Sequence, residues 1–390
     1  ILLFSSPFMY QTPRFFFPVF IPIMCIIFWH DLQKKQRVAA IATWIVFSLF
    51  MGFLLLTSGS RFGQLSVFSR ADVMLPLQES YREDGVSGIP PLVARVFHNK
   101  VIDHAQYLMD STAKYFSYDF LVREAKEPVR ERIPDMGVIY LFELPLLALG
   151  VIVSIRRRDR LGLLTMWWYV VGIAVISFAV DESPNIHRFF VVAFPLYVLI
   201  GIGIQYIIES IRSKKAHTRM IVVAIIVLLY LFSLGRFLHQ LFVHQPTHEP
   251  YYRSSAFKIL IPKLETLRST YDMVVFSKGN SSPYIHVLFW NQYDPAAYQA
   301  SGSRRDLDFV TFENLYFVPE DCPFSADRYW SLKVTPGKRT LFVNSGGCAA
   351  TVNTKVIETI RWRNDMEAFQ LVEYMATPSA EVIDGEMGRR

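Results

Sequence analysis

The strongest constraint on this chain is a set of six long apolar runs separated by polar segments. A helix needs about 20 mostly apolar residues to cross roughly 30 Å of hydrocarbon, and its backbone amides must be satisfied within the helix. The runs therefore predict six membrane-spanning helices. They occupy residues 15–29, 38–57, 137–155, 161–180, 189–208 and 220–243.

The composition agrees with a membrane protein. Hydrophobic residues make up 52% of the chain and charged residues 19%, whereas soluble domains average about 45–50% and about 25%. These values exclude a cytosolic globular protein, a disordered chain and a coiled coil. Three cysteines are too few for a disulfide scaffold or a Cys-rich zinc protein. In such a protein a net charge of +6 first indicates topology, so no nucleic-acid partner is expected.

Three short basic loops predict the orientation of the spans. They cover residues 30–37, 156–160 and 212–219, and the positive-inside rule places such loops in the cytoplasm. The long loop 58–136, the acidic hairpin 181–188 and the segment 244–390 then lie outside. The predicted fold class is an α-helical polytopic membrane protein with a small extracytoplasmic α/β domain.

Two domains follow from this pattern. Residues 1–243 form the transmembrane domain, including the loop 58–136, and residues 244–390 form the outside domain. Within that domain, residues 256–268 have a helical period, whereas 272–277, 309–317 and 339–344 are typical of strands. The chain begins with Ile1 in an apolar stretch, which we interpret as a fragment lacking its natural start.

The cysteines are consistent with an outside location of the second domain. Cys322 and Cys348 would face an oxidising milieu that permits a disulfide. Sequence spacing cannot establish the pairing, because bridging depends on the geometry of the two Cβ atoms. Cys25 lies within a span and is expected to serve packing.

The hairpin 181–188 is the main candidate site. It carries two carboxylates, His187 and Arg188 between two spans, and charge beside a membrane favours a functional role. The planar guanidinium of Arg188 suits a phosphate, because it can donate two hydrogen bonds at once. The alternative is a solvated hairpin whose arginine reaches the lipid head groups.

The long loop supplies weaker candidates. His98 and Lys100 could contact an anionic ligand, or they could belong to a polar helix face. His98 and His104 are six residues apart, so they do not form a zinc-binding HxxxH pair. Glu143 lies in the third apolar run, where an acid usually faces a cavity or a partner. A general base cannot be chosen from sequence among Asp72, Glu79, Glu83, Asp84, Asp103 and Asp110.

The order of these parts resembles the later part of a GT-C membrane glycosyltransferase of the protein-mannosyltransferase and aminoarabinose-transferase type. The resemblance covers most of residues 15–208. It is carried by His187-Arg188-Phe189-Phe190, Pro195-Leu196-Tyr197 and Gly201-Ile202-Gly203, and by His98-Asn99-Lys100, Tyr115-Phe116 and Gly137-Val138-Ile139-Tyr140.

The resemblance implies a function. Family members transfer a sugar from a polyprenyl-phosphate donor to a lipid, glycan or protein acceptor on the outer face of the membrane. By this resemblance Arg188, helped by His187, contacts the donor phosphate, while His98 and Lys100 contact donor or acceptor. The plasma membrane of a prokaryote is the implied location.

The same resemblance places the principal catalytic acid in an outside loop near the start of the family's chains. No such loop precedes residue 15, so the catalytic residue is expected upstream of this chain, and the fragment alone could be inactive. A divalent cation could assist, but no set of ligands in the sequence requires one.

Two other functions remain open. A transporter or flippase of lipid-linked sugars predicts inverted repeats and charged or broken helices at mid-membrane. The sequence has few charges within the spans and no evident repeat, which counts against this function. A membrane-anchored binding or assembly protein predicts that Arg188→Ala leaves function intact.

Overall fold

The computed structural model describes two compact units, Ile1–His244 and Gln245–Arg390. The first is helical, and the second contains a mixed sheet. The structure describes residues 12–57, 75–179, 182–277, 282–300, 302, 310–319, 321–323, 339–348 and 354–374.

Nine α-helices are described in the first unit. They are α1 Thr12–Ile27, α2 Lys34–Thr57, α3 Leu75–Val86, α4 Pro91–Phe97, α5 Lys100–Tyr115, α6 Glu143–Arg157, α7 Arg160–Ser177, α8 Ile186–Ser210 and α9 Ala216–His239. A π-helical turn, Asp119–Arg123, follows α5, and another, Gln240–His244, extends α9.

Four described helices are long and apolar enough to cross a membrane: Lys34–Leu54, Arg160–Ser177, Ile186–Ser210 and Ala216–His244. Within the described residues they confirm the predicted spans 38–57, 161–180, 189–208 and 220–243, whereas the helices at 15–29 and 137–155 are shorter than predicted. α1 has 16 described residues and α6 has 15. At about 1.5 Å per residue these helices are roughly 22–24 Å long, which is less than the thickness of the hydrocarbon core.

The third predicted span is short because its first six residues are not α-helical. The backbone N–H of Gly137 donates to Val122 O at 3.2 Å, and that of Ile139 donates to Leu121 O at 2.8 Å. A Cβ atom on Gly137 would lie 2.4 Å from Leu121 O. These backbone contacts tie residues 137 and 139 to residues 121–122, and α6 begins only at Glu143, after a turn in which its N–H donates to Tyr140 O at 2.9 Å.

α6 and α8 pack backbone against backbone through two glycines. A Cβ atom on Gly150 would lie 1.9 Å from Leu199 O, and one on Gly203 would lie 2.1 Å from Leu146 O. Small residues let apolar helices approach this closely, which strengthens dispersion contacts in lipid, where the hydrophobic effect does not drive association.

The three basic loops lie at the same end of the first unit. Arg160 in the α6–α7 turn pairs with Asp31 in the α1–α2 loop. Arg157 Nη2 lies 2.9 Å from Glu209 Oε2, near the end of α8. The hairpin that precedes α8 lies at the other end of this helix, about 37 Å away at 1.5 Å per residue.

In the second unit, a short 3₁₀ turn, Pro250–Arg253, precedes α10, Phe257–Arg268. The remaining elements are β1 Met273–Ser277, α11 Pro283–Trp290, α12 Pro295–Ala300, β2 Val310–Phe312, β3 Leu315–Val318, β4 Thr340–Ser345, β5 Thr354–Arg361 and β6 Glu367–Tyr374.

The six described strands form one mixed sheet in the order β2-β3-β1-β4-β6-β5. β1 is parallel to β3 and β4, and the other pairs are antiparallel. Leu260 and Leu264 of α10 share a buried core with Phe276 and Val343 on one face of the sheet. An α/β domain is confirmed, as are its first helix and the strands at 272–277 and 339–344.

The cysteine pairing left open by the sequence is present in the structure. Cys322 and Cys348 form a disulfide with their Cα atoms 5.7 Å apart. Cys25 is a half-buried free thiol packed against the cluster of Ile21, Phe47 and Met51.

Candidate functional site

The described part of the hairpin, Glu182–Arg188, is an ordered cap on α8. Asn185 is the N-cap residue, and its side-chain Oδ1 accepts from the backbone N–H groups of His187 at 3.0 Å and Arg188 at 3.1 Å. Asparagine is among the best N-cap residues for this reason, so the sequence itself explains why α8 begins at Ile186. Asp181 lies outside the described residues.

The hairpin is fixed against the long loop. Ser183 Oγ lies 2.8 Å from Ser111 Oγ on α5, and the backbone N–H of Asn185 donates to the Tyr115 hydroxyl at 3.0 Å. The backbone N–H of Ile186 donates to the carbonyl oxygen of Glu127 at 3.0 Å. The hairpin and the loop segment 111–131 therefore form one continuous surface in the first unit.

This surface brings Glu131 to His187. The Glu131 carboxylate contacts Nε2 of His187 directly, and it also accepts from Arg130 Nε at 3.2 Å. The two side chains are partly exposed, 34% for Glu131 and 48% for His187. A carboxylate bonded to one imidazole nitrogen orients the ring and leaves the other nitrogen for a ligand.

The charges around Glu131 favour its ionised form. Partial desolvation acts to raise its pKa, but the hydrogen bonds from His187 and Arg130 outweigh that effect, so the pKa lies below its ordinary value. At neutral pH the site therefore contains a carboxylate next to an imidazole and a guanidinium.

Arg188 is half-buried beside this pair, one residue further along α8. The backbone N–H groups of the first turn are already bonded, to Asn185 Oδ1, to Asn185 O and to Glu127 O. A phosphate at this end of α8 would therefore depend on the Arg188 side chain rather than on free amides of the helix start.

His98 and Lys100 lie elsewhere on the long loop. His98 follows α4, and its Nε2 is 3.6 Å from Asp84 Oδ2 at the end of α3. Lys100 is the first residue of α5, which places it about 17 Å along the helix axis from Ser111, where α5 meets the hairpin. The structure thus joins His187, the residue before Arg188, with Glu131, and it leaves His98 and Lys100 at a separate position.

Sequence reasoning missed Glu131. It lies 56 residues before His187 in a mixed-charge loop, and it has no periodic or motif signal that distinguishes it from the other acids. Only the docking of the hairpin on residues 111–131 makes the pairing visible.

No three His, Cys, Asp or Glu side chains of the described residues lie close enough together to hold a metal ion. Comparison with known proteins found no matching protein family, no similar curated protein and no similar solved structure. The assignment of function therefore rests on the geometry and on the resemblance in sequence.

Proposed function

We propose that this protein is a membrane glycosyltransferase that moves a sugar from a polyprenyl-phosphate donor to an acceptor on the outer face of the membrane. The observation that carries the proposal is the contact between Glu131 and His187 beside Arg188, at one end of a set of long apolar helices. A donor with a hydrocarbon tail and an anionic head needs a site of this kind at the membrane surface.

The three side chains match the demands of the reaction. The acceptor hydroxyl oxygen attacks the anomeric carbon, the bond from that carbon to the phosphate oxygen breaks, and the phosphate keeps the electron pair. His187, with Nε2 held by Glu131, can take the acceptor proton on Nδ1. The guanidinium of Arg188 can stabilise the charge that grows on the departing phosphate. Any further carboxylate supplied by an upstream segment would share this work.

The arrangement of the first unit supports the proposed topology. The hairpin docks on the long loop, at the opposite end of α8 from the turn that contains Arg157 and Arg160. This topology requires α6, although short, to cross the membrane as well. With α6 crossing and the basic loops in the cytoplasm, the site would lie outside, which suits a multi-pass protein of a prokaryotic plasma membrane. The disulfide between Cys322 and Cys348 suits an extracytoplasmic second unit.

The deciding experiment measures sugar transfer by the full-length protein in proteoliposomes supplied with undecaprenyl-phosphate carrying a radiolabelled sugar. Arg188→Ala should lower transfer by about 10²-fold or more, with Arg188→Lys in between, while expression and topology persist. Arg123→Ala is the matched control, since Arg123 is an exposed loop arginine paired with Asp119. Transfer by Arg188→Ala at the control's rate would contradict the phosphate role.

Topology is tested separately by cysteine labelling of intact cells. Glu182→Cys should be labelled from outside, and Arg158→Cys should not. Labelling of the two from the same side would remove the proposed donor site.

A further inference from the structure

A cavity in the first unit lies well away from the hairpin. It is a cleft of about 430 Å³ between α6, α8, α9 and the segment before α6. Tyr197 of α8 lines it, about 15 Å along the helix axis from His187. The lining residues that carry the argument are Val138, Tyr140, Glu143, Tyr197 and Tyr230.

Glu143 is a buried acid with no cationic partner among the described residues. It is 3% exposed, and its Oε2 accepts from the backbone N–H of Tyr140 at 2.7 Å. The Tyr230 hydroxyl also hydrogen-bonds the carboxylate, and no Lys, Arg or His of the described chain forms an ion pair with it. Arg236, further along α9, donates instead to Asp135 O at 3.2 Å.

A buried charge is normally paired, because its desolvation is costly. An ionised carboxylate offers about four acceptor positions, and the two bonds from Tyr140 and Tyr230 leave capacity for a ligand with N–H donors or a positive charge.

Aromatic rings surround the carboxylate. The rings of Tyr140 and Phe142 are stacked with their centroids 6.0 Å apart, and the rings of Phe142 and Tyr230 pack edge to face with their centroids 4.8 Å apart. Tyr197 lines the same cleft, and its hydroxyl is held by Val138 O at 2.7 Å. Aromatic faces attract ammonium groups by cation–π interaction, and a nearby carboxylate adds charge pairing.

An apolar extension leads away from these groups. A second cavity of about 330 Å³ shares Tyr140 and Tyr230 and is otherwise lined by Val227, Leu231 and Leu234 of α9. These three aliphatic side chains are about half exposed. A hydrocarbon chain could therefore enter from the lipid side and lie along α9.

We propose that this cleft binds an amphiphile whose head is an ammonium group, with the head on Glu143 among the tyrosines and the hydrocarbon chain along α9. The Glu143 charge would repel an anionic head, so the cleft is not a second site for a phosphate donor. None of its residues belongs to the hairpin site, and the inference goes beyond the proposed glycosyltransferase activity without resting on it.

The test is equilibrium binding of radiolabelled dodecyltrimethylammonium to the full-length protein in dodecyl maltoside micelles. Dodecyl maltoside carries the same dodecyl chain as the probe on an uncharged sugar head, and it is present in large excess. Specific binding of the probe in these micelles therefore depends on its ammonium head group. One saturable site is expected. Glu143→Gln should weaken it by at least about tenfold, and Phe232→Leu, an exposed position on α9 outside the cleft, should leave it unchanged.

Variants of Tyr230 distinguish the contribution of the aromatic ring from that of the hydroxyl. They also test the proposal independently of whether Glu143→Gln folds. Tyr230→Phe should stay within about twofold of wild type, whereas Tyr230→Leu should weaken binding by about tenfold, because only the second removes the aromatic face. Choline and dodecyl phosphate should compete poorly. The proposal is overturned by the absence of a saturable site, by equal binding to Glu143→Gln or Tyr230→Leu, or by choline competing as well as the long-chain ammonium.

Discussion

The backbone N–H of Asn185 donates a hydrogen bond of 3.0 Å to the hydroxyl of Tyr115, although the two residues are 70 positions apart. The Tyr115 ring is fully buried and stacks against Phe189 on the first turns of α8, with ring centroids 6.2 Å apart. One side chain therefore holds the hairpin both by a hydrogen bond and by packing, and it fixes the start of the helix that carries His187 and Arg188.

Tyr115→Phe should lower the stability of the first unit while keeping its packing. The ring remains, but the N–H of the buried Asn185 loses its acceptor, which costs about 1–3 kcal/mol. Thermal unfolding of the purified protein in detergent should show a lower Tm than for Tyr118→Phe, whose ring is 55% exposed. Equal Tm values for the two variants would contradict the anchoring role.

A pH-dependent contribution to stability is expected from Glu131. Its pKa is lower in the folded protein than its ordinary value, so at mildly acidic pH the unfolded chain binds more protons at this group. The stabilisation is present above the unfolded-state pKa of about 4.3 and is lost as the pH falls through the lower folded-state pKa.

The measurement compares the Tm of wild type and Glu131→Gln across this range. The difference in favour of wild type should be full above about pH 5 and should shrink below about pH 4. Asp119→Asn serves as a control that removes an exposed carboxylate of the same loop, one that pairs with Arg123. A difference that stays constant with pH would mean that Glu131 acts by packing alone.

Gly150→Ala should separate α6 from α8. The new methyl group would meet the backbone carbonyl of Leu199, which cannot rotate away as a side chain could. We expect the free energy of unfolding to fall by about 1–3 kcal/mol, as in an overpacked core, and the yield of monodisperse protein in detergent to fall as well.

Gly235→Ala on α9 is the matched control, because nothing lies within 4 Å of its added Cβ atom. Alanine also has a helix propensity higher than glycine by about 1 kcal/mol, so this variant should be as stable as wild type or more stable. If the two variants behaved alike, the close packing of α6 on α8 would be wrong.

Local signals in the sequence predict local structure well. The apolar run 189–208 corresponds to α8, Ile186–Ser210, because hydropathy alone identifies such helices. The predicted strand 309–317 divides into β2 and β3, since Glu313 adopts a left-handed backbone conformation in the turn between them. The sequence does not predict β5, because its alternation is broken by irregularities in the pairing with β6 between Val356 and Glu358 and between Ile360 and Arg361.

Contacts between distant segments could not be predicted. The start of α6 is set by the approach of Gly137 to the backbone of Leu121, which a hydropathy pattern does not record. The pairing of Glu131 with His187 depends in the same way on the hairpin docking against α5. The sequence thus predicts the basic half of the site, whereas its carboxylate is found only in the folded chain.

The last prediction concerns the disulfide of the second unit. Thiol titration of the unfolded protein should find one reactive thiol, Cys25, before reduction and three after it, since Cys322 and Cys348 are bonded to each other.

Replacing both with serine should destabilise the second unit by about 2–4 kcal/mol, because the cross-link closes a loop with a sequence separation of 26. Limited proteolysis of the full chain should then cut the second unit faster than in Cys25→Ser, which leaves the bridge intact. Three reactive thiols before reduction would show that the bridge does not form, and they would remove the support that it gives to an extracytoplasmic location.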